Sequence, residues 1–163
     1  MAAPNRNDNS NLTEAVMEAA DVLLRVAARS VVEVEARVST PQLRVLVFIA
    51  RRGAQSASAI AAELGVHASN ATRICDRLTR AGLISRSADP VDRRFIRLDL
   101  TEEGRKLVSE VLEHRRASVA RIVARISPAR RAAALDAFRL FAAASDEPGA
   151  SDGRFVLTLN SPG

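Results

Sequence analysis

The sequence predicts a mainly α fold with a small β-hairpin, and three features carry that expectation. Apolar residues recur at helical spacing through most of the chain, and two short helical stretches meet at a tight Gly65–Val66 turn. Downstream, Ile96, Leu98 and Leu100 alternate with Arg97 and Asp99, the period-2 signature of a half-buried strand. Four helices, a hairpin and two more helices make a winged helix-turn-helix framed by helices from both termini.

Residues 1–10 are polar and read as a disordered arm. Asn11 followed by Glu14 resembles a capping box, and Leu12, Val16, Ala20, Leu23, Ala27, Val31, Val34 and Val38 mark one long first helix. Thr40 and Pro41 read as N-cap and first position of a second helix, which carries Leu43, Leu46, Val47 and Ala50 on one side and stops at Gly53. Ser58 is the expected cap of a short third helix, Ala59 to Leu64, with Ile60, Ala61 and Leu64 inward. A fourth helix runs from His67 to Ala81, and Gly82 ends it.

The hairpin then pairs Leu83–Ser87 with Arg94–Leu100 across a polar turn. Thr101 caps a fifth helix, with Glu102 and Glu103 at the positive end of its dipole and a stripe of Leu107, Val108, Val111, Leu112, Val119, Ile122, Val123 and Ile126. Ser127–Pro128 opens a sixth, with Leu135, Phe138 and Phe141 on its inner side. Beyond Ser145 the chain is rich in turn-forming residues. Its apolar stretch Phe155–Leu159 is either a docking strand or part of a disordered tail, and the flanks favour disorder.

Composition narrows the function classes. Of 163 residues 47% are apolar, with five Phe and no Trp or Tyr, so the core is expected to be built from Ala, Val, Leu and Ile. No apolar run is long enough for a membrane span and no signal-peptide pattern opens the chain, so a cytosolic protein is expected. The net charge of +5 is carried almost wholly by Arg, Lys106 being the one lysine. A GC-rich genome explains such a bias as readily as nucleic acid does, so the placement of the arginines decides. Cys75, His67 and His114 supply no disulfide and no metal-ligand spacing, and no cofactor is expected. No nucleophile–base pair or phosphate loop suggests an enzyme.

The arginines gather where the fold would use them. Along the fourth helix Ala71, Ile74, Cys75 and Leu78 fall on one side, while Ser69, Thr72, Arg73, Asp76 and Arg80 fall on the other. A solvated surface helix is the plainer reading of a charged face alone. The small-residue turn before it and the hairpin after it favour a helix that reads a major groove, where Arg bonds guanine and hydroxyls reach bases or phosphates. Asp76 is expected to be neutralised by Arg73 and Arg80. In the hairpin tip, Asp92 and Arg94 have the spacing of a pair that would aim a guanidinium into a minor groove, leaving Arg93 for the backbone.

The stretch Leu64-Gly65-Val66, Ser69-Asn70-Ala71-Thr72-Arg73, Arg77-Leu78, Ala81-Gly82-Leu83-Ile84, Arg86, Asp89-Pro90, Asp92-Arg93-Arg94, Leu100-Thr101 and Gly104 resembles the MarR family of bacterial transcriptional regulators. The similarity runs over residues 12–144, and the Asp-Arg-Arg wing followed by Leu-Thr-Glu-Glu-Gly is its more specific part. The resemblance implies a homodimer joined by terminal helices, usually a repressor, released from double-stranded DNA by a small phenolic or aromatic ligand. His67 departs from the family's usual cap residues, so a poor cap with an exposed ring is expected. Ala68 and Asn70 depart as well, so no target sequence carries over. No cysteine occupies the first helices, where peroxide-sensing relatives have one, and Cys75 is expected to be buried and inert.

These readings divide the chain into an arm (1–10), a helical dimerisation region (11–39 and 101–144), a DNA-binding domain (40–100) and a flexible tail (145–163). The expected DNA-binding residues are Ser69, Asn70, Thr72, Arg73, Arg77 and Arg80 on the helix, and Asp92, Arg93 and Arg94 on the wing. Arg73, Ser69 and Thr72 would read bases, Arg94 a minor groove, and Arg77, Arg80 and Arg93 phosphates, on a pseudopalindrome with half-sites one helical turn apart. Arg37, Phe48 and Arg51 are a candidate ligand pocket, with core and rim as the alternative. A helix-turn-helix module that binds a ligand or a protein without DNA is the competing function.

Overall fold

The computed structural model describes residues 6–90 and 92–144. The first five residues of the expected arm and the whole expected tail, Phe155–Leu159 included, lie outside them.

The first helix, α1 (Arg6–Val32), is displaced at both ends from its expected span. Residues 6–10 are helical rather than part of an arm; Asp8 sits favourably in the first turn and the Thr13 hydroxyl bonds back to the Asn9 carbonyl. The helix stops at Val32, six residues before Val38. Val31, Val32 and Val34 are β-branched and crowd a helical backbone, and the chain takes tight turns in which Val34 N–H bonds Val31 O and Arg37 N–H bonds Val34 O. Those turns drive Val34 and Val38 into the core.

Two caps fall on a neighbouring hydroxyl residue. α2 (Thr40–Arg52) is capped by Ser39, not Thr40: the Ser39 N–H donates to Gln42 Oε1 at 2.8 Å, and Pro41 lies within the first turn, where no N–H is needed. α3 (Ala57–Leu64) is capped by Ser56, not Ser58, through Ala59 N–H at 3.1 Å. Gly65, at φ 66° and ψ 34°, then takes the left-handed conformation that lets its own and the Val66 N–H close α3 on Ala62 O and Ala61 O. That turn aims α4 (Ala68–Arg80) across α2 and α3.

β1 (Ile84–Ala88) and β2 (Ile96–Leu100) pair antiparallel, from Ile84 opposite Leu100 to Ala88 opposite Ile96. A third partner, which no local pattern announces, joins them: Gln55 exchanges both backbone bonds with Leu98, at 2.8 and 2.9 Å, and so pins the wing to the segment between α2 and α3. α5 (Glu102–Ala124) starts as expected at Thr101, whose Oγ1 accepts from Gly104 N–H and donates to Gly82 O. α6 (Pro128–Ala144) closes the described chain.

One apolar core joins Val34 and Val38, α2, α3, the inner face of α4, both strands and the first half of α5. It is aliphatic, with Leu46, Ile49, Ile60, Leu78, Ile84 and Leu98 fully enclosed. The back half of α5 and all of α6 contribute nothing to it. Leu135, Phe138 and Phe141, expected on an inner side, are 49%, 56% and 57% exposed, and no element among the described residues buries them. No described helix is long and apolar enough to cross a membrane.

Candidate nucleic-acid interface

α4 is held by one face and displays the other. Ala71, Cys75 and Leu78 are fully buried and Ile74 nearly so, while Ser69, Asn70, Thr72, Arg73, Arg77 and Arg80 are all exposed. Burial pushes the Cys75 thiol pKa up, keeping it protonated and unreactive as expected. The helix start corrects one expectation. His67 is exposed but does cap: its Nδ1 accepts from Ser69 N–H at 3.3 Å and lies 2.9 Å from Ser69 Oγ. An imidazole nitrogen with a free lone pair thus replaces the usual cap oxygen.

The polar groups of this face fall into two sets. The Thr72 hydroxyl donates to Ala68 O and retains acceptor capacity, and Arg80 Nε donates to Asp76 O. Arg73 and Arg77 carry no partner among the described residues, so their guanidinium forks remain available to an external anion or base edge. Asp76 does not pair with Arg73 or Arg80 as expected. It turns off the helix and ion-pairs with Arg86 on β1. Sequence reasoning missed Arg86 as part of this surface, because only the fold of β1 against α4 brings it there.

In the wing the expected pair forms. The Arg94 side chain donates to both Asp92 oxygens, Nη2 to Oδ2 at 2.7 Å and Nε to Oδ1 at 3.0 Å and Oδ2 at 3.2 Å, and its backbone N–H adds a bond to Oδ1 at 3.1 Å. These bonds hold the Asp92 carboxyl below the usual carboxylate range. Asp92 N–H in turn bonds Asp89 Oδ1, and Asp89 faces Arg97, which reaches Ala54 O at 3.1 Å. The relay ties the tip to the segment between α2 and α3 while the Arg94 side chain stays 86% exposed. Arg93 is exposed beside it.

A helix with two guanidiniums unpaired among the described residues and a wing with one clamped guanidinium are the two parts of a winged-helix surface. Residues 38–96 match the MarR family profile. RV1404 from Mycobacterium tuberculosis, of known structure, is 35% identical and superposes with a TM-score of 0.74, covering 90% of this chain and 99% of that one. The chain belongs to the MarR family. Among its relatives, the HTH-type transcriptional repressor MdtR of Bacillus subtilis is 40% identical over 52% of this chain, and YfiV of the same organism, an uncharacterized HTH-type transcriptional regulator, is 30% identical over 65%. The chain spans 54% and 66% of those two relatives.

In this MarR-family chain Arg37, Phe48 and Arg51, the three candidate pocket residues, have different surroundings. Arg37 ion-pairs with Glu110, Phe48 packs half-buried against the core, and Arg51 is exposed in the last turn of α2. A cavity of about 200 Å³ lies between α1, α2 and α5. Val31, Leu43, Val47 and Val111 wall it, with Arg44 and Arg115 among its lining. Arg115 is half-buried, donates to Ser30 Oγ at 3.1 Å, and has its pKa lowered by burial.

Proposed function

We propose that this chain is a homodimeric DNA-binding regulator that represses transcription from a pseudopalindromic operator and is released by a small ligand. The observation that carries the reading is the display of Arg73 and Arg77, unpaired, on a helix whose opposite face is locked into the core, beside a wing arginine fixed by Asp92. In this reading Ser69, Asn70, Thr72 and Arg73 meet base edges in the major groove. Arg77, Arg80 and Arg93 meet phosphates, and Arg94 enters the flanking minor groove.

The second copy covers the terminal helices. α1 and α6 together line an apolar groove of about 640 Å³, with Leu12, Leu23, Phe138 and Phe141 on its walls. A two-fold dimer built there presents two copies of α4, hence a two-fold operator with half-sites about one turn apart. The ligand is assigned to the α1–α2–α5 cavity rather than to Arg37, Phe48 and Arg51. An apolar wall with two nearby guanidiniums suits a small aromatic acid or phenol. Lying between a dimerisation helix and the DNA-binding core, it would act by binding one spacing of the reading heads better than the other.

The test is duplex binding measured against salt with wild type, Arg73→Ala and Arg94→Ala, using the promoter beside the chain's own gene. Arg73→Ala should weaken binding by about tenfold to a hundredfold, as for loss of one base-contacting arginine. If neither substitution changes binding at any salt concentration, the nucleic-acid reading fails, and a helix-turn-helix module without DNA is the answer.

A further inference from the structure

Two large apolar side chains on the wing remain unexplained by the arginine contacts. Phe95 is 62% and Ile96 52% exposed; every other exposed large hydrophobic among the described residues lies on α1, α5 or α6. Single exposed apolar residues are ordinary, but a large phenyl ring beside the arginines of the wing tip stands where a partner can cover it. The backbone there is fixed. Phe95 N–H bonds Asp92 O at 3.0 Å and Phe95 O accepts from Asp89 N–H at 2.8 Å, the last rung of the hairpin before its tip. Ile96 falls in the period of Leu98 and Leu100 but lies beyond the edge of the core they enter.

The neighbours identify the cover. Phe95 directly follows Arg94, whose guanidinium is held outward by Asp92, and Arg93 is exposed as well. An exposed phenyl ring rooted next to two exposed guanidiniums matches a minor groove, whose negative floor is walled by the apolar edges of deoxyribose. Side chains such as Phe and Ile serve as apolar contacts in such grooves. We propose that Phe95 packs on the sugar wall of the minor groove entered by Arg94 and so adds an apolar, charge-independent part to wing binding. The proposal rests on the DNA-binding reading above.

The test uses the full chain and a duplex that it selects from a random-sequence pool, with affinity measured over a range of salt concentrations. Phe95→Ser should bind about tenfold more weakly at every salt concentration, the scale of one apolar side chain returned to water. Its slope of log Kd against log salt should match wild type, because no counterion is involved, whereas Arg94→Ala should flatten that slope by about one. Phe95→Leu, which keeps an apolar side chain, should hold close to wild-type affinity. Wild-type affinity in Phe95→Ser overturns the proposal alone, as does an altered salt slope. A change in sedimentation without a change in DNA affinity overturns it in favour of a contact between copies of the chain. Failure of the wild-type chain to select any duplex overturns the DNA-binding reading and this proposal with it.

Discussion

Asp76, on the outward side of α4, ion-pairs with Arg86 of β1, so the recognition-type helix and the root of the wing are tied by one charge pair. Both side chains are about two-fifths exposed, and a pair so hydrated contributes less than about 1 kcal/mol to folding. Its effect is on the surface potential. Arg86 cancels a carboxylate that would otherwise face an approaching phosphate backbone.

The first prediction follows from that cancellation. Arg86→Ala should lower duplex affinity by about tenfold, the order of one charge altered at a DNA face, while leaving thermal stability almost unchanged. Adding Asp76→Asn should recover much of the loss. Fluorescence anisotropy on the four members of this double-mutant cycle measures the coupling. Additive losses would mean that the pair does not act as a unit.

Gly104 yields a prediction of a different kind. It lies in the first turn of α5, and a methyl group added there would stand 2.1 Å from the Leu83 carbonyl oxygen and 3.3 Å from Leu100 Cδ2. The same carbonyl accepts the Thr101 N–H, so neither backbone can give way without breaking the junction of wing and helix. Gly104→Ala should therefore destabilise the protein by about 3 kcal/mol, the upper range for overpacking a close contact. Urea unfolding reads this directly, and a variant as stable as wild type would refute the close approach.

Asp92 gives a pH prediction whose sign is fixed by Arg94. Because the folded carboxyl titrates below its usual range, the clamp is fully formed above that range and is lost only as pH falls through the lowered value. Wing geometry should thus be constant from about pH 5 upward, well above the ordinary Asp value. An NMR titration of the Asp92 carboxyl should find a depressed midpoint that Arg94→Ala moves back up. A midpoint at or above the ordinary value in the wild type would show that the pair does not persist in solution.

These features were unequally legible in the sequence. The two faces of α4 were readable because a 3.6-residue period separates Ala71, Ile74, Cys75 and Leu78 from the polar set by spacing alone. The Asp92–Arg94 clamp was readable because its partners are two residues apart. Ser39 against Thr40, and Ser56 against Ser58, could not be distinguished, since each pair offers two nearby hydroxyls able to cap and backbone angles decide between them. The Asp76–Arg86 pair and the Gln55–Leu98 bridge depend on how the strands fold back, across 10 residues for the ion pair, and no local pattern records that. The α1–α2–α5 cavity was the least legible, because its walls are drawn from positions between Ala28 and Arg115.

The exposed face of α6 supports the last prediction. No residue of that helix is buried in the single chain, yet Leu135, Phe138 and Phe141 recur at the spacing of one helical side. In a two-fold dimer each such residue is buried twice, so Phe138→Asp removes two apolar contacts per assembly and places two carboxylates in their stead. Taking about 1.5 kcal/mol for each phenyl group lost from an apolar interface, dimerisation should weaken by about a hundredfold or more. The subunit core contains no part of α6, so Phe138→Asp should fold and retain its helical circular dichroism. Sedimentation equilibrium at micromolar concentration should find a dimer for wild type and a monomer for the variant. The monomer should also lose most of its affinity for a two-half-site duplex, because the two reading heads are then no longer linked. A wild-type chain that sediments as a monomer, or a variant that stays dimeric with unchanged affinity, would mean that some other surface covers Phe138.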